Sequence, residues 1–436
     1  MTDRSLEEVI HEREFCALLN ARASSFWMLC NTLLETSSKD WGKKHYYPLV
    51  SEAEALESFL DDFGAQYNRT YSPLREFVAS ARWFALSGFS LGHLQGRFER
   101  YGIVQELDAD DVADLRRSFH RAGAMIRRST LNLLQEIQKE ARTLGLDLPK
   151  EGLQENDFAD GFTRQRLPRN VGQEEIVDEE QRIAEIASKF VAACTMFAGL
   201  GVRRVPAQKE REQYLSRVCS EERARVYEAI VHNLQSTYDT HVKNTVLEGQ
   251  DEKLPRLRGH LSASLHFLEA VTFLTHFVER HDSGSRDEKA ERRMHSLVDR
   301  AEVQDVILNH LLYWADRFMR GGKALAESLL RQYTNVQELV VELPDDLKLH
   351  ARPAALIVSI VNRYATPVEL EVDGRRCNAS SILDVLVTVG SHPEARRYVF
   401  RGDENPLRDI GLLFQHGLGE HGMDRLPPEL QYLRNA

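Results

Sequence analysis

The sequence predicts a mainly α protein, in which one or two N-terminal helical bundles precede a small α+β domain. Residues 1 to about 333 repeat apolar side chains every three or four positions, as amphipathic helices do. After Thr334 the apolar period becomes two, which is typical of strands. With 436 residues, 42% of them hydrophobic and 28% charged, the chain has a globular composition that excludes native disorder.

The helical region is predicted to consist of a bundle over residues 1–148 and a second bundle over 174–333, which could form one continuous domain with the first. A capping box at Ser51–Glu54 predicts the start of one helix, and Asp108 predicts the start of the longest helix. Prolines and glycines punctuate residues 149–173, which we interpret as a linker or mobile loop.

The C-terminal region is predicted to form a domain over residues 337–422 with the element order βαββαβα, followed by a tail at 423–436. Residues 368–372 alternate strictly between apolar and acidic side chains, and Asp373-Gly374 is a strong hairpin turn. Asn405 predicts the start of the last helix, with Pro406 at its first position. This order predicts an open-faced sheet with helices on one side.

Charge and composition exclude several classes of partner. The net charge of −11 disfavours a nucleic-acid phosphate backbone as the main partner. No apolar run approaches the roughly 20 residues of a membrane helix, and the first residues lack a signal-peptide pattern. We therefore expect a cytoplasmic protein without membrane contact. The five cysteines form no CxxC pair, which predicts reduced thiols.

No pattern in the helical region predicts a metal or cofactor. Glu8 and His11 form one ExxH pair, but a di-iron bundle requires two. His266, Glu269 and His276 fall on similar faces of one predicted helix without a partner motif. Neither GxxxxGK nor GxGxxG occurs.

The chemistry is concentrated at the first helix of the C-terminal domain, Leu349-His350-Ala351-Arg352-Pro353. Pro353 lacks an amide hydrogen and therefore belongs in the first turn, which places His350 at or near the N-cap. A helix N-terminus offers free amides and a partial positive charge to a phosphate, and Arg352 adds a guanidinium. The same positive end disfavours imidazolium and leaves a neutral nucleophilic nitrogen. These residues predict a histidine that carries a phosphoryl group transiently.

This stretch, together with the element order, resembles HPr, the histidine phosphocarrier of the bacterial phosphoenolpyruvate-dependent sugar phosphotransferase system. The resemblance implies that His350 is phosphorylated by an enzyme-I-like donor, with Arg352 beside it. Ala351, Arg352 and Lys348 would then surround the phosphate. The family usually has glycine at the position of Lys348, so this lysine would either help hold the phosphate or obstruct the donor.

A second stretch, Asn378-Ala379-Ser380-Ser381-Ile382-Leu383, is similar to the second signature of the same family. The resemblance implies that Ser381 corresponds to the regulatory serine that a dedicated kinase phosphorylates in some bacteria. The alternative is an ordinary N-cap serine. Asp384 lies where the family offers an uncharged contact surface, which brings the usual partners into question.

The sequence is compatible with two functions. In the first, the protein is a phosphorylation-responsive regulatory protein or phosphocarrier, and an unknown protein binds its helical region. In the second, the protein is a non-catalytic interaction scaffold with a degenerate HPr-like docking domain. An enzyme acting on a small molecule is the less favoured interpretation, because the helical region offers no catalytic constellation.

Overall fold

A computed structural model describes residues 9–36, 41–153, 179–281, 288–344 and 347–435. The predicted linker at 149–173 falls mostly outside these residues, as does Glu8. The described part is mainly helical, with one four-stranded sheet near the C-terminus, as predicted.

Fourteen helices precede the sheet in the described residues. They are α1 Glu12–Arg22, α2 Ser24–Glu35, α3 Lys43–Asp62, α4 Ser72–Arg97, α5 Ala109–Thr143, α6 Glu179–Leu200, α7 Gln208–Val218, α8 Glu221–His241, α9 Val246–Gln250, α10 Lys253–His276, α11 Glu288–Leu297, α12 Arg300–Asp305, α13 Tyr313–Gly321 and α14 Lys323–Gln332. The backbone is π-helical at Phe277–His281, after α10, and at Val306–Leu312, between α12 and α13.

The C-terminal elements follow the predicted order. They are β1 Val336–Glu342, α15 Ala351–Tyr364, β2 Val368–Val372, β3 Arg375–Asn378, α16 Ile382–Gly390, β4 Arg397–Asp403 and α17 Glu404–Gln415. The strands form one antiparallel sheet in the order β1-β4-β2-β3.

The chain divides into two compact units. The first takes its residues from 1–170, 197–233 and 258–320, and the second takes them from 171–196, 234–257 and 321–436. The partition into two bundles and a C-terminal domain that the sequence suggests stays a prediction.

The first unit is held together by close helix packing around large aromatic side chains. Trp314 is fully buried, and its indole N–H donates to Ser118 Oγ on α5 at 3.1 Å. Gly88 on α4 lies against Tyr46 on α3, and a Cβ at this glycine would come within 2.4 Å of the tyrosine ring. A larger residue than glycine would therefore separate these two helices.

Two helix starts differ from the sequence prediction. Helix α3 begins at Lys43 and contains Pro48, so Ser51 is an interior residue instead of a cap. Pro48 is the sixth residue of the helix, so it removes one helical hydrogen bond, and the rest of this 20-residue helix continues beyond it. In α17 the N-cap is Asp403, two residues before the predicted Asn405.

In the second unit, the sheet buries one face against α15 and α17. Leu370 on β2 pairs with Phe400 on β4, and both side chains are fully buried in the same core as Ile357 and Ile410. The hairpin turn has Asp373 at φ 48° and Gly374 at φ 83°. Two consecutive positive φ angles are the requirement of a type I′ turn, so the predicted hairpin is confirmed.

The opposite face of this sheet carries a ladder of alternating charges across all four strands. Arg401 on β4 donates to Glu338 on β1 at 2.8 Å and to Glu371 on β2 at 2.6 Å. Arg376 on β3 donates to the same Glu371 at 2.9 Å. Opposite charges on neighbouring strands stabilise the register of the sheet.

Residues 417–435 pack onto the core of this domain. Leu418, Leu426, Leu430 and Leu433 are all at most 4% exposed and belong to the core cluster. Two hydrogen bonds add to this packing. The hydroxyls of Tyr364 and Tyr432 each donate to Asp409 Oδ2 at 2.8 Å.

Helix α6 contacts the C-terminal end of α15 within the second unit. The side-chain amide of Gln181 donates to the carbonyl oxygen of Tyr364 at 3.1 Å, and Asn405 Nδ2 donates to Gln181 Oε1 at 3.1 Å. His350, at the N-cap, lies at the other end of this 14-residue helix, about 20 Å away at 1.5 Å per residue.

Two stretches, Glu179–Leu200 and Lys253–His281, are long and apolar enough by length and composition to cross a membrane. Half of the most apolar window of the first and 78% of that of the second are buried inside the protein. Buried core helices pass the same test, so this is weak evidence for a membrane span.

Truncating Leu430 tests the packing of the C-terminal segment. We expect Leu430→Ala to reduce the free energy of unfolding of the C-terminal domain by about 2–5 kcal/mol, because it leaves a cavity in a closed core. Hydrogen exchange of the α15 amides in urea measures this loss. Gln431→Ala is the control at the exposed neighbouring position. Equal exchange in the two variants would contradict the packing described above.

Candidate functional site

His350 is the N-cap residue of α15, as the position of Pro353 predicts. Its backbone is extended, with φ −102° and ψ −167°, and Nδ1 accepts a hydrogen bond from the Arg352 amide at 3.4 Å. Pro353 lies in the first turn, where its missing amide hydrogen removes no helical hydrogen bond.

Buried neighbours hold this exposed histidine at the domain surface. Leu349 and Ala354 are 6% and 0% exposed, whereas the His350 side chain is 54% exposed. Ala351, Arg352 and Lys348 are also exposed. Among the described residues, the side chains of Arg352 and Lys348 have no ion-pair partner, so their charges are available to an incoming anion.

Glu420 is a member of this site that no sequence pattern indicates. The Oε1 atom of Glu420 lies 3.3 Å from Nε2 of His350, and the Glu420 side chain is 27% exposed. Glu420 follows a tight turn in which Gly417, Leu418 and Gly419 all have positive φ. Leu418 is fully buried, which anchors the turn beside α15. The glycines predict a turn, but no local signal shows that Glu420 contacts a residue 70 positions earlier.

These contacts assign different roles to the two ring nitrogens of His350. The Arg352 amide can only donate, so Nδ1 presents its lone pair to the helix N-terminus. We therefore assign the ring hydrogen to Nε2, which lies beside the Glu420 carboxylate. In this tautomer Nδ1, the unprotonated ring nitrogen, is the one nearest the helix amides.

Ser381 is the N-cap residue of α16, and its Oγ accepts a hydrogen bond from the Asp384 amide at 3.3 Å. The serine is half-buried, while Ile382, Leu383 and Val387 expose 40–68% of their apolar side chains beside it. The geometry is that of an ordinary cap, and it is compatible with modification because the hydroxyl lies at the surface.

The histidines that the sequence placed on one helix face are engaged in separate pairs. His266 Nδ1 lies 2.9 Å from Glu269 Oε2, and His276 Nδ1 lies 2.8 Å from Glu221 Oε1. The described residues contain no group of three or more His, Cys, Asp or Glu side chains that could hold a metal ion.

His93 on α4 packs against this face, with its ring centroid 4.5 Å from that of His266. Burial lowers the pKa of His93 to about 4, and electrostatic interactions with His266, Arg97 and Lys43 act in the same direction. Glu269 opposes the shift without reversing it.

The fold and the site together define a class: a four-stranded antiparallel sheet covered by helices on one face, with an exposed histidine capping the first helix. The family model described as the PTS HPr component phosphorylation site matches residues 337–391. HPr-like protein Crh of Halalkalibacterium halodurans is 32% identical over 78 residues, which cover 18% of this chain and 93% of that protein. No solved structure matches the chain.

Through its C-terminal domain, the chain belongs to the HPr family. This membership supports a phosphocarrier or regulatory role and interaction with phosphotransferase-system partners in general. The family-model match lies within the C-terminal domain.

The His93 environment generates a prediction about acid stability. Its folded pKa lies below the ordinary value of 6.5, so its contribution to stability is present above pH 6.5 and is lost as the pH falls towards 4. We expect His93→Gln to flatten the decrease in the free energy of unfolding over this interval.

Urea unfolding followed by tryptophan fluorescence measures this effect, because all four tryptophans lie in the first unit. His232→Gln, at an exposed position, is the control. The same acid slope in the His93 variant and in the unsubstituted protein would refute the prediction.

Proposed function

We propose that this protein is a phosphorylation-responsive regulatory protein or phosphocarrier that accepts a phosphoryl group on His350 from an enzyme-I-like donor. The observation that carries the proposal is the placement of an exposed imidazole at the start of α15, with Nδ1 beside the helix amides. The family membership of the domain supports the same role.

In the proposed transfer, Nδ1 of His350 attacks the phosphorus of a phosphohistidine on the donor. The new Nδ1–P bond forms as the donor's N–P bond breaks, and the donor's imidazole takes the released electron pair. No other reactant is required. Nε2 keeps its hydrogen, so the phosphorylated ring carries a positive charge that the Glu420 carboxylate stabilises.

The phosphoryl oxygens would be held by groups already present around the N-cap. The amides of Ala351 and Arg352 belong to the helix N-terminus, where the macrodipole favours an anion. The Arg352 guanidinium presents a planar fork of donors, and the Lys348 ammonium adds a second positive charge. We propose that Lys348 holds the phosphate, because its side chain is exposed beside His350.

Phosphorylation adds about one and a half to two negative charges, which is sufficient to change what a surface binds. We propose that the phosphoryl group is either passed to a further acceptor or acts as such a signal. A kinase acting on Ser381 would add a second signal next to the exposed apolar side chains of α16.

We further propose that the protein works in the cytoplasm, where donors of this kind act, and that its helical region binds a protein partner. The sequence-based partition of that region into bundles at 1–148 and 174–333 belongs to the same proposal. The second candidate function is an interaction scaffold, which is favoured by Asp384 within α16, at a position where the family usually has no charge.

Phosphotransfer to His350 is the direct test. We expect enzyme I to transfer the labelled phosphoryl group of phosphoenolpyruvate to the protein in an acid-labile form. The His350→Ala variant should remain unlabelled. His416→Ala, which removes another exposed histidine of the same domain, should retain the label. Label that persists in His350→Ala would refute the site, and absence of label from the unsubstituted protein would favour the scaffold.

The role of Glu420 gives a separate prediction. Glu420→Gln removes the charge beside Nε2, and we expect it to shift the phosphotransfer equilibrium towards the donor by about two- to fivefold, the scale of a partly exposed ion pair. Quench-flow measurement of both transfer directions provides the equilibrium constant. Glu429→Gln is the control in the same C-terminal segment. Equal constants for the two variants would exclude a stabilising role for Glu420.

A further inference from the structure

The first unit contains a cavity of about 400 Å³ that is open to solvent on one side. Its size falls in the range of small-molecule sites. Trp41, Phe98 and Phe119 form aromatic walls and are themselves only 7–8% exposed. None of the lining residues belongs to the proposed phosphate site or to the stretch that matches the HPr family model, which begins at residue 337.

A glycine inside the longest helix keeps this cavity open. Gly123 lies in the middle of α5 and lines the cavity, and a Cβ at this position would have no atom within 4 Å. Glycine is among the least favourable residues for a helix interior, and no close approach of another described segment requires it here. Its effect on the structure is to leave space that a side chain would otherwise fill.

Arg116, which has no ion-pair partner among the described residues, lines the cavity. Arg116 and His120 are four residues apart on α5, so they share one face of the helix. The part of the chain that the structure describes offers the Arg116 guanidinium no acceptor. By contrast, the neighbouring Arg117 lies 3.3 Å from Asp114, and Arg121 lies 3.2 Å from Asp305.

The lining determines the class of ligand that fits. Aromatic walls favour a flat aromatic group, and a free guanidinium at the edge favours a carboxylate, which it can bind through two parallel hydrogen bonds. Glu99 also lines the cavity and would repel a ligand with several negative charges. We propose that this cavity binds a small aromatic monocarboxylate, with its ring between the aromatic walls and its carboxylate on Arg116.

Titration calorimetry of the full chain with sodium 2-naphthoate tests this proposal. We expect saturable binding with a dissociation constant at or below about 1 mM, and binding at least about tenfold weaker for the neutral 2-naphthalenemethanol. Arg116→Gln should weaken naphthoate binding by about tenfold or more, whereas Arg117→Gln should leave it unchanged.

Gly123→Leu should abolish binding by filling the cavity. Gly199→Leu is its control, because this glycine also has open space around it but lies on α6 away from the cavity. Thermal unfolding of both variants verifies that they are folded. The proposal is overturned if naphthoate binding does not saturate or if 2-naphthalenemethanol binds as tightly as naphthoate. It is also overturned if the two leucine variants bind naphthoate with equal affinity.

Discussion

The chemistry of the C-terminal domain depends on how the first turn of α15 is anchored. Leu349 and Ala354 are buried on either side of His350, so the core holds the imidazole at the surface while the helix amides stay beside Nδ1. Without this anchoring, an exposed histidine would sample many rotamers, and its nitrogen would meet the helix dipole only part of the time. The glycine-rich turn adds the second constraint, because it brings Glu420 to the other ring nitrogen.

The two ends of α15 serve different purposes. The N-terminal end carries His350, the proposed phosphorylation site, and the C-terminal end contacts α6 through Gln181. A helix of this length keeps the two ends about 20 Å apart. The proposed donor could therefore approach His350 without displacing the part of α6 that contacts the C-terminal end of α15.

Features with local causes could be predicted from the sequence. The position of His350 follows from a proline three residues later, and the hairpin follows from Asp373-Gly374, one of the few dipeptides that favour the two positive φ angles of a type I′ turn. The helix starts at Lys43 and Glu404 could not be placed, because Pro48 resembles a helix breaker and Asn405 is as good a cap as Asp403. The contact of Glu420 with His350 depends on packing between segments distant in sequence, and so does the assembly of the cavity walls. No local sequence pattern encodes either of them.

The charge ladder on the sheet has a consequence for how partners find the domain. Three carboxylates on that face, Glu338, Glu369 and Glu371, are paired with the guanidinium groups of Arg376 and Arg401, so the charges nearly neutralise one another and the face generates little long-range field. By contrast, Lys348 and Arg352 at the start of α15 have no ion-pair partner among the described residues, and the Glu420 carboxylate beside His350 offsets only part of their charge. An acidic protein diffusing towards the domain would be steered to the His350 end before any contact forms, and added salt would slow that encounter.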